Sequence, residues 1–586
     1  MSSYKTEIRD NMRIEWDVPI TMDDGLVLRA DVFRPVAEGK YPAIMSYGPY
    51  GKGLAFQEGY KTAWEIMARE FPDAVSGTSN KYQNWEVVDP EKWVPHGYAV
   101  VRVDSRGAGR SPGFLCHGDA RENKDFHDCI EWAAVQPWCS GKIGLNGISY
   151  YASNQWKAAA MQPPHLAAIC VWEGWADNYR DSTHHGGIIC VFRKNWQDMQ
   201  VKTVQHGVGE RGSRSPLTGE LACGPETLSD EELIKNREDM WANLSKNTLD
   251  GPYYRERSGD LSKVKVPLLS AANWGGQGLH PRGNFEGFMH AASEHKWLEA
   301  HGGSHWAPFY TDYGVGLQKR FFDYFLKGQQ NGWDKQPKVQ LLIRHVHDSN
   351  GREKFVLRHE NEWPIARTQW TNFYLDGANL TLGTAKNNSI KTITYDAMGD
   401  GVTFSMPPMD KETEITGPAA LKLFVSSTTA DADLFVILRV FDPQNKEVLF
   451  QGALDPKTPV AQGWLRASHR KLDKAKSLPY RPYHTHDENQ PLTPGEVVEL
   501  DIEIWPTCIV VPKGYRIALT IKGKDYDHGL SAASLSNMKN PMSGCGPFMH
   551  DDPDDRPPDI FGGNVTLHFG PQYPAAMLLP VVPAKV

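Results

Sequence analysis

From residue 41 to about residue 330, short β-branched apolar runs alternate with stretches whose apolar positions recur at helical spacing. The runs cover residues 41–46, 98–104, 143–146, 166–172, 266–272 and 296–301. Between them, residues 120–135 carry helical spacing through Phe126, Ile130 and Ala134, and residues 151–161 form an Ala-rich second helix. Such alternation predicts an α/β unit with a mostly parallel sheet. Most of the runs end at or beside Gly, Asn, Asp or His. Ligands in open α/β sheets bind beyond the carboxyl ends of the strands, so the chemistry is expected there.

The alternation stops between residues 178 and 254, where the pattern becomes helical. Ser229-x-x-Glu232 is a capping box ahead of Leu233, Ile234, Met240 and Trp241, and the stretch reads as an inserted cap. After Trp333 the helical signal disappears. Apolar runs at 338–343, 421–425, 434–440, 497–504 and 515–521, separated by Gly, Pro and Asn turns, predict an all-β domain, a sandwich or jelly roll. The expected division is an α/β domain in two parts (1–177 and 255–360), a helical cap (178–254) and a C-terminal β domain (361–586).

With 63 basic against 71 acidic side chains, the formal charge is −8, which gives no pull toward nucleic acid. The charged opening residues lack the apolar stretch of about 7–15 residues that a secretory signal needs, and no run approaches about 18 apolar residues. These features lead to the expectation of a cytoplasmic protein without a membrane partner. Eight cysteines at 116, 129, 139, 170, 190, 223, 508 and 545 form no C-x-x-C pair, so reduced thiols are expected. The acidic run 551–555 lacks the spaced ligands of an EF-hand and reads as a solvated turn. The adjacent pair His184-His185 has no H-E-x-x-H or carboxylate pattern around it and is read as no metal site; no cofactor is expected.

The most informative segment is Lys142-Ile-Gly-Leu-Asn-Gly-Ile-Ser-Tyr-Tyr-Ala152, a short strand running through Gly147-Ile-Ser149 into a helix. A strained strand-to-helix turn of this kind exposes a serine hydroxyl and needs small neighbours, which Gly147 and Ala152 provide. Tyr151 stands where the usual G-x-S-x-G has its second glycine. On the motif alone, Ser149 can equally be the N-cap of the helix.

The G-x-S-Y-x-small run, followed by Asn154-Gln-Trp156, resembles the elbow of the CocE/NonD family, which includes cocaine esterase, X-prolyl dipeptidyl peptidases and α-amino-acid ester hydrolases. Val103-Asp-Ser-Arg-Gly-Ala-Gly-Arg-Ser111, Trp132 with Gln136-Pro-Trp138, and Phe321-Phe-Asp-Tyr-Phe-Leu-Lys-Gly328 resemble further family stretches in the same order. The resemblance covers nearly the whole chain. It implies an α/β-hydrolase domain, an inserted helical cap and a C-terminal jelly roll. It also implies an oxyanion hole from the tyrosine of a Pro-Tyr pair, here Tyr50, and from the backbone N–H after the nucleophile, here that of Tyr150. Without it, Tyr50 reads as a loop aromatic packed under the cap.

A serine nucleophile needs a histidine base in the loop after the last strand. Leu298-Glu-Ala-His-Gly-Gly-Ser-His-Trp306 offers two. Of the family's G-P-W-S-H pattern only Ser304-His305 remains, so the resemblance implies His305, with His301 structural. The family's aspartate, in a G-W-Y-D run, is missing: this chain has Asn273-Trp-Gly-Gly-Gln277. The strand after the elbow ends in Glu173, which reaches the same rim of the sheet and is taken as the acid. Asp177 is an alternative, as is an ion pair of Glu173 with Arg180. Trp175 and Trp274, beside two strand ends, are expected to wall the substrate pocket.

The function expected is a serine hydrolase cleaving an ester or amide of a small molecule through an acyl-enzyme, with Ser149, His305, Glu173, Tyr50 and Tyr150 as its machinery. X-Pro dipeptidyl-peptidase activity, acyl transfer, cyclisation and noncatalytic binding are the alternatives. Oligomeric state is open, a homodimer among the options.

Overall fold

The computed structural model describes residues 4–347 and 353–585. Seven strands form the parallel core of the sheet, in the spatial order Ala99–Asp104, Tyr41–Gly48, Cys139–Ile148, Leu166–Trp172, Leu268–Asn273, Lys296–His301 and Val339–His345. Antiparallel strands extend both edges. Val27–Pro35 pairs with Ala99–Asp104 and carries Met12–Thr21 beyond it, while Lys354–Glu360 borders Val339–His345. Run 338–343, expected among the β-domain segments, is thus the last parallel strand of the α/β sheet.

The helix Ala120–Ala134 begins where the Asp119 side chain accepts from the Glu122 N–H, and its spacing turns Phe126, Cys129, Ile130 and Ala133 into the core under the sheet. The strand Cys139–Ile148 and its three parallel successors are in register at their carboxyl ends. Ile148 lies opposite Trp172, Trp172 opposite Ala271, and Asn273 opposite His301. That register gathers the residues after each strand on one rim.

Residues 178–257 fold as short helical segments, including Phe192–Trp196, Asp230–Lys235, Met240–Lys246 and Pro252–Arg257. The Ser229/Glu232 capping box is formed. Beyond residue 368 the chain is built mainly of antiparallel strands. Thr413–Ser427 pairs with Val498–Val511, Asn564–Phe569 and Ala576–Val582, and Asp433–Phe441 pairs with Ala461–Arg466 and Arg516–Lys522. Their inward faces share one apolar core that includes Leu421, Val436, Ile502 and Leu519. Among the described residues no helix is long and apolar enough to cross a membrane. All eight cysteines are free thiols, seven of them buried. The acidic run is not wholly solvated, because Asp555 is paired to the buried Arg466 at 2.8 Å.

Candidate active site

Ser149 follows the strand Cys139–Ile148 and precedes the helix Tyr150–Ala160, with φ 59° and ψ −111°. A non-glycine residue at positive φ costs about 1–3 kcal/mol and persists only where its surroundings fix it. Here the Ser149 N–H points back at the carbonyl oxygens of Trp172 and Glu173, at 3.2 and 3.1 Å. Its side chain makes no capping hydrogen bond to the helix. The elbow needs glycine at 147, since a Cβ there would lie 2.5 Å from that of Tyr151. Tyr151 is tolerated in the place of a glycine because its ring lies over Gly48, which has no side chain to meet it.

The Ser149 hydroxyl meets a histidine, but that histidine is His280: Oγ to Nε2 is 3.1 Å. His280 lies at the start of the helix Pro281–His290, past the strand where the family has its aspartate. The His305 side chain, expected on Ser149, is engaged elsewhere. Its Nδ1 lies 2.7 Å from Glu173 Oε2 and its Nε2 lies 2.8 Å from Glu86 Oε1. The two imidazoles stack face to face, with centroids 4.9 Å apart and planes 4° from parallel. Glu173 therefore reaches His305 as expected, while a second carboxylate occupies the edge of His305 meant for the serine.

Glu173 also accepts from His301 at 3.0 Å and from the Asn273 amide at 3.2 Å, and His301 continues to Glu299 at 2.7 Å. Asp177 is not part of this cluster. Its carboxylate binds Arg180 and caps the turn that follows it. Glu86 and Glu173 share the backbone feature of Ser149, with φ 64° and 51°. Three polar side chains of one cluster thus sit on positive-φ backbone. His280 and Glu86 carried no sequence signal of their own, although the glycine pair at 275–276 marked the departure from the family beside which His280 lies.

Burial raises the Glu86 carboxyl to about 7 against the opposing pull of His305. Burial would also raise Glu173, but the His305 charge and the hydrogen bonds from both histidines hold it down at about 2. For His305 the desolvation penalty is outweighed by Glu173 and Glu86, which push it up to about 10, and Glu299 with Glu173 pushes His301 up to about 9. Burial and the adjacent His305 charge put His280 well below the ordinary imidazole value. At neutral pH His305 is an imidazolium beside the Glu173 carboxylate, and His280 is neutral.

These shifts fix a sign for stability. In the unfolded chain the two histidines release their protons near about 6.5, whereas the folded chain keeps them to about 9 and about 10. The folded state then holds more protons, so this contribution is complete below the unfolded value and is lost as pH rises through the folded ones. The melting temperature of the wild type is expected to fall more steeply between pH 7 and 10 than that of Glu173→Gln. Parallel pH dependences for the two proteins would contradict the ion cluster.

Tyr50 is buried, and its hydroxyl oxygen accepts from the Trp196 indole N–H at 2.9 Å, which leaves its own proton to donate. The Tyr150 amide is in the first turn of its helix, where backbone N–H groups have no partner within the helix. Both residues line a cavity together with Ser149, Glu86, His280, His305, Trp175 and Arg193. Arg193 donates to Ser182 at 2.8 Å and stacks on Trp175 and Trp196. Trp274, expected in this wall, does not line the cavity. It is fully buried on the other side of the strand end, stacked on Phe285 and donating to the Leu342 carbonyl at 2.9 Å. The free space is about 20 Å³, room for about one water.

Residues 24–307 match the family model described as X-Pro dipeptidyl-peptidase (S15 family), and residues 331–574 match the X-Pro dipeptidyl-peptidase C-terminal non-catalytic domain. A crystal structure of a CocE/NonD family hydrolase from Staphylococcus aureus has a TM-score of 0.82 and 32% sequence identity, covering 97% of this chain and 94% of that one. The chain belongs to the CocE/NonD family of hydrolases. The cocaine esterase of a Rhodococcus species is 22% identical, covering 98% of this chain and 99% of its own. A Streptococcus pneumoniae Xaa-Pro dipeptidyl-peptidase is 21% identical, covering 86% of this chain and 72% of its own. This CocE/NonD hydrolase is a serine hydrolase with an α/β-hydrolase-type fold.

Proposed function

We propose that the enzyme cleaves an ester or amide bond of a small molecule through an acyl-enzyme on Ser149, with His280 as the base. The observation that carries this reading is the 3.1 Å contact of Ser149 Oγ with His280 Nε2, made by a serine that does not cap its helix. His280 takes the hydroxyl proton as Oγ attacks the carbonyl carbon, then returns it to the departing alcohol or amine. Water repeats the cycle on the acyl-enzyme. The imidazolium formed on His280 lies against His305, and the two carboxylates bound to His305 supply the negative charge that offsets both rings. The free space at Ser149 is too small for an acyl group, so substrate entry displaces side chains of the cavity wall such as Phe192, Met538 and Phe548. A fluorophosphonate probe followed by peptide mapping tests the reading. One adduct per chain on Ser149 is expected, and an adduct elsewhere or none would overturn it.

The Tyr50 hydroxyl and the Tyr150 N–H are the donors proposed for the oxyanion. Tyr50→Phe removes one at nearly constant volume, and such a loss costs about 10²–10³ in kcat. An effect confined to KM would place Tyr50 on the ground-state substrate instead.

A second substrate class, peptides or esters with a free α-amino group, is favoured by Glu86. Its Oε2 is buried without a hydrogen-bond partner, and Glu86 lines the cavity, so a substrate ammonium would find an acceptor there. The comparison that separates the classes is kcat/KM for an aminoacyl ester against its N-acetylated form. A strong preference for the free amine, lost in Glu86→Gln, supports the second class, and preference for the blocked ester supports the first.

A further inference from the structure

Away from the serine, three metal-ligating side chains meet at the junction of the inserted segment and the β domain. One ligand atom from each of His185, Cys190 and His550 lies within 4.8 Å of the other two, and all three residues are fully buried. His185 and Cys190 flank a two-residue hairpin strand, Ile188–Ile189, while His550 arrives from 365 positions along the chain. The hairpin is also tied there through the backbone, by Val191 N–H to the Met549 carbonyl at 2.9 Å.

The outer hydrogen bonds fix the protonation of both rings. His185 Nε2 is 3.1 Å from the Asp181 carbonyl oxygen, which can only accept, so Nε2 carries the hydrogen. His550 Nδ1 is 2.8 Å from an Asp525 carboxylate oxygen, so that nitrogen carries its hydrogen as well. With both rings neutral, the inner nitrogens, His185 Nδ1 and His550 Nε2, are left as lone pairs facing each other at 2.7 Å. Two lone pairs at hydrogen-bond distance repel unless a proton or a cation lies between them. Ligating histidines typically donate their second ring N–H to a carboxylate or a backbone carbonyl, as both of these do.

We propose that His185, Cys190 and His550 bind one zinc ion that clamps the inserted segment to the C-terminal domain. Structural zinc sites are tetrahedral and built from histidine and thiolate, and this N₂S set supplies three of the four ligands. Charge also balances: the dication meets one thiolate at Cys190 and one carboxylate, Asp525, behind His550. Zinc binding releases the Cys190 proton. The second trio of potential ligands, Glu173, His280 and His305, is different, because both His305 nitrogens and the Glu173 carboxylate are engaged with Glu86, His301 and one another, and His280 Nε2 is engaged with Ser149. The adjacent pair His184-His185 gave no metal signal in sequence because the donors that complete the set are distant or unremarkable until the chain is folded. His184 itself stacks on Tyr179 and contributes no ligand to this trio.

The test is made on the full-length protein purified from zinc-replete cells without chelator, with a parallel preparation from cobalt-supplemented cells. Elemental analysis is expected to find one zinc per chain. The cobalt form is expected to show a thiolate-to-cobalt charge-transfer band, which the sulfur-free trio at Ser149 cannot produce. Cys190→Ser should lose the band, and His550→Gln should lose most of the metal. Wild-type protein that carries no metal above background and shows no such band would overturn the site and leave a proton shared between His185 and His550. Cobalt bound without the thiolate band would overturn it as well.

Discussion

Ser149→Ala is expected to abolish fluorophosphonate labelling and to lower kcat by about 10⁴–10⁶, the range over which loss of a serine nucleophile leaves only binding and the oxyanion hole. The fold should survive. Alanine keeps the Cβ of serine, and the elbow is held by the Ser149 N–H and by Gly147 rather than by the hydroxyl, which caps nothing. Only the contact to His280 is removed. Circular dichroism and melting temperature close to wild type, together with the loss of turnover, place the effect in the chemistry. Turnover near the wild-type rate would end the serine mechanism.

Glu173→Gln is the second large effect. Glu173 accepts from His305 and His301 at once and is itself fully buried, so an amide in its place leaves two imidazoliums without their shared counter-charge. Breaking a buried ion cluster from one side costs about 3–5 kcal/mol of stability. The folded fraction should also lose about 10²–10⁴ in kcat, because the Glu173 carboxylate no longer offsets the positive charge that forms on His280 beside the cationic His305. KM is expected to change little, since Glu173 does not line the cavity. A kcat within a few-fold of wild type in folded Glu173→Gln protein would reduce the residue to a structural role. Loss of the steep alkaline decline in melting temperature is the companion signature.

The sheet was legible because its parallel strands are continuous apolar runs. Those expected at 166–172 and 296–301 form as Leu166–Trp172 and Lys296–His301, and the others differ only at their ends. The three antiparallel strands before residue 41, Lys5–Arg9, Met12–Thr21 and Val27–Pro35, were not legible. Arg13, Glu15 and Asp17 interrupt the apolar pattern of Met12–Thr21, and a bulge between Glu15 and Val18 breaks its alternation. Ser149 was visible through the spacing of small residues, and Glu173 through its place at a strand end on the same rim. What joins Ser149 to His280 is a side-chain packing event between two loops that are 131 positions apart. No local pattern encodes that contact, and the missing family aspartate pointed only to the right loop. Trp274 shows the limit of reasoning from strand ends. It sits at the rim, but its side chain turns into the layer behind the sheet, where Phe285 and Trp363 receive it.

The most direct measurement is the rate at which a fluorophosphonate modifies Ser149 at neutral pH in the wild type, His280→Asn and His305→Asn, read by intact mass with the melting temperature of each protein recorded. If His280 is the base, His280→Asn loses labelling almost completely while remaining folded, and His305→Asn keeps a slower but measurable rate. Labelling of His280→Asn at the wild-type rate, with labelling abolished in folded His305→Asn, would contradict the account and return the base to His305.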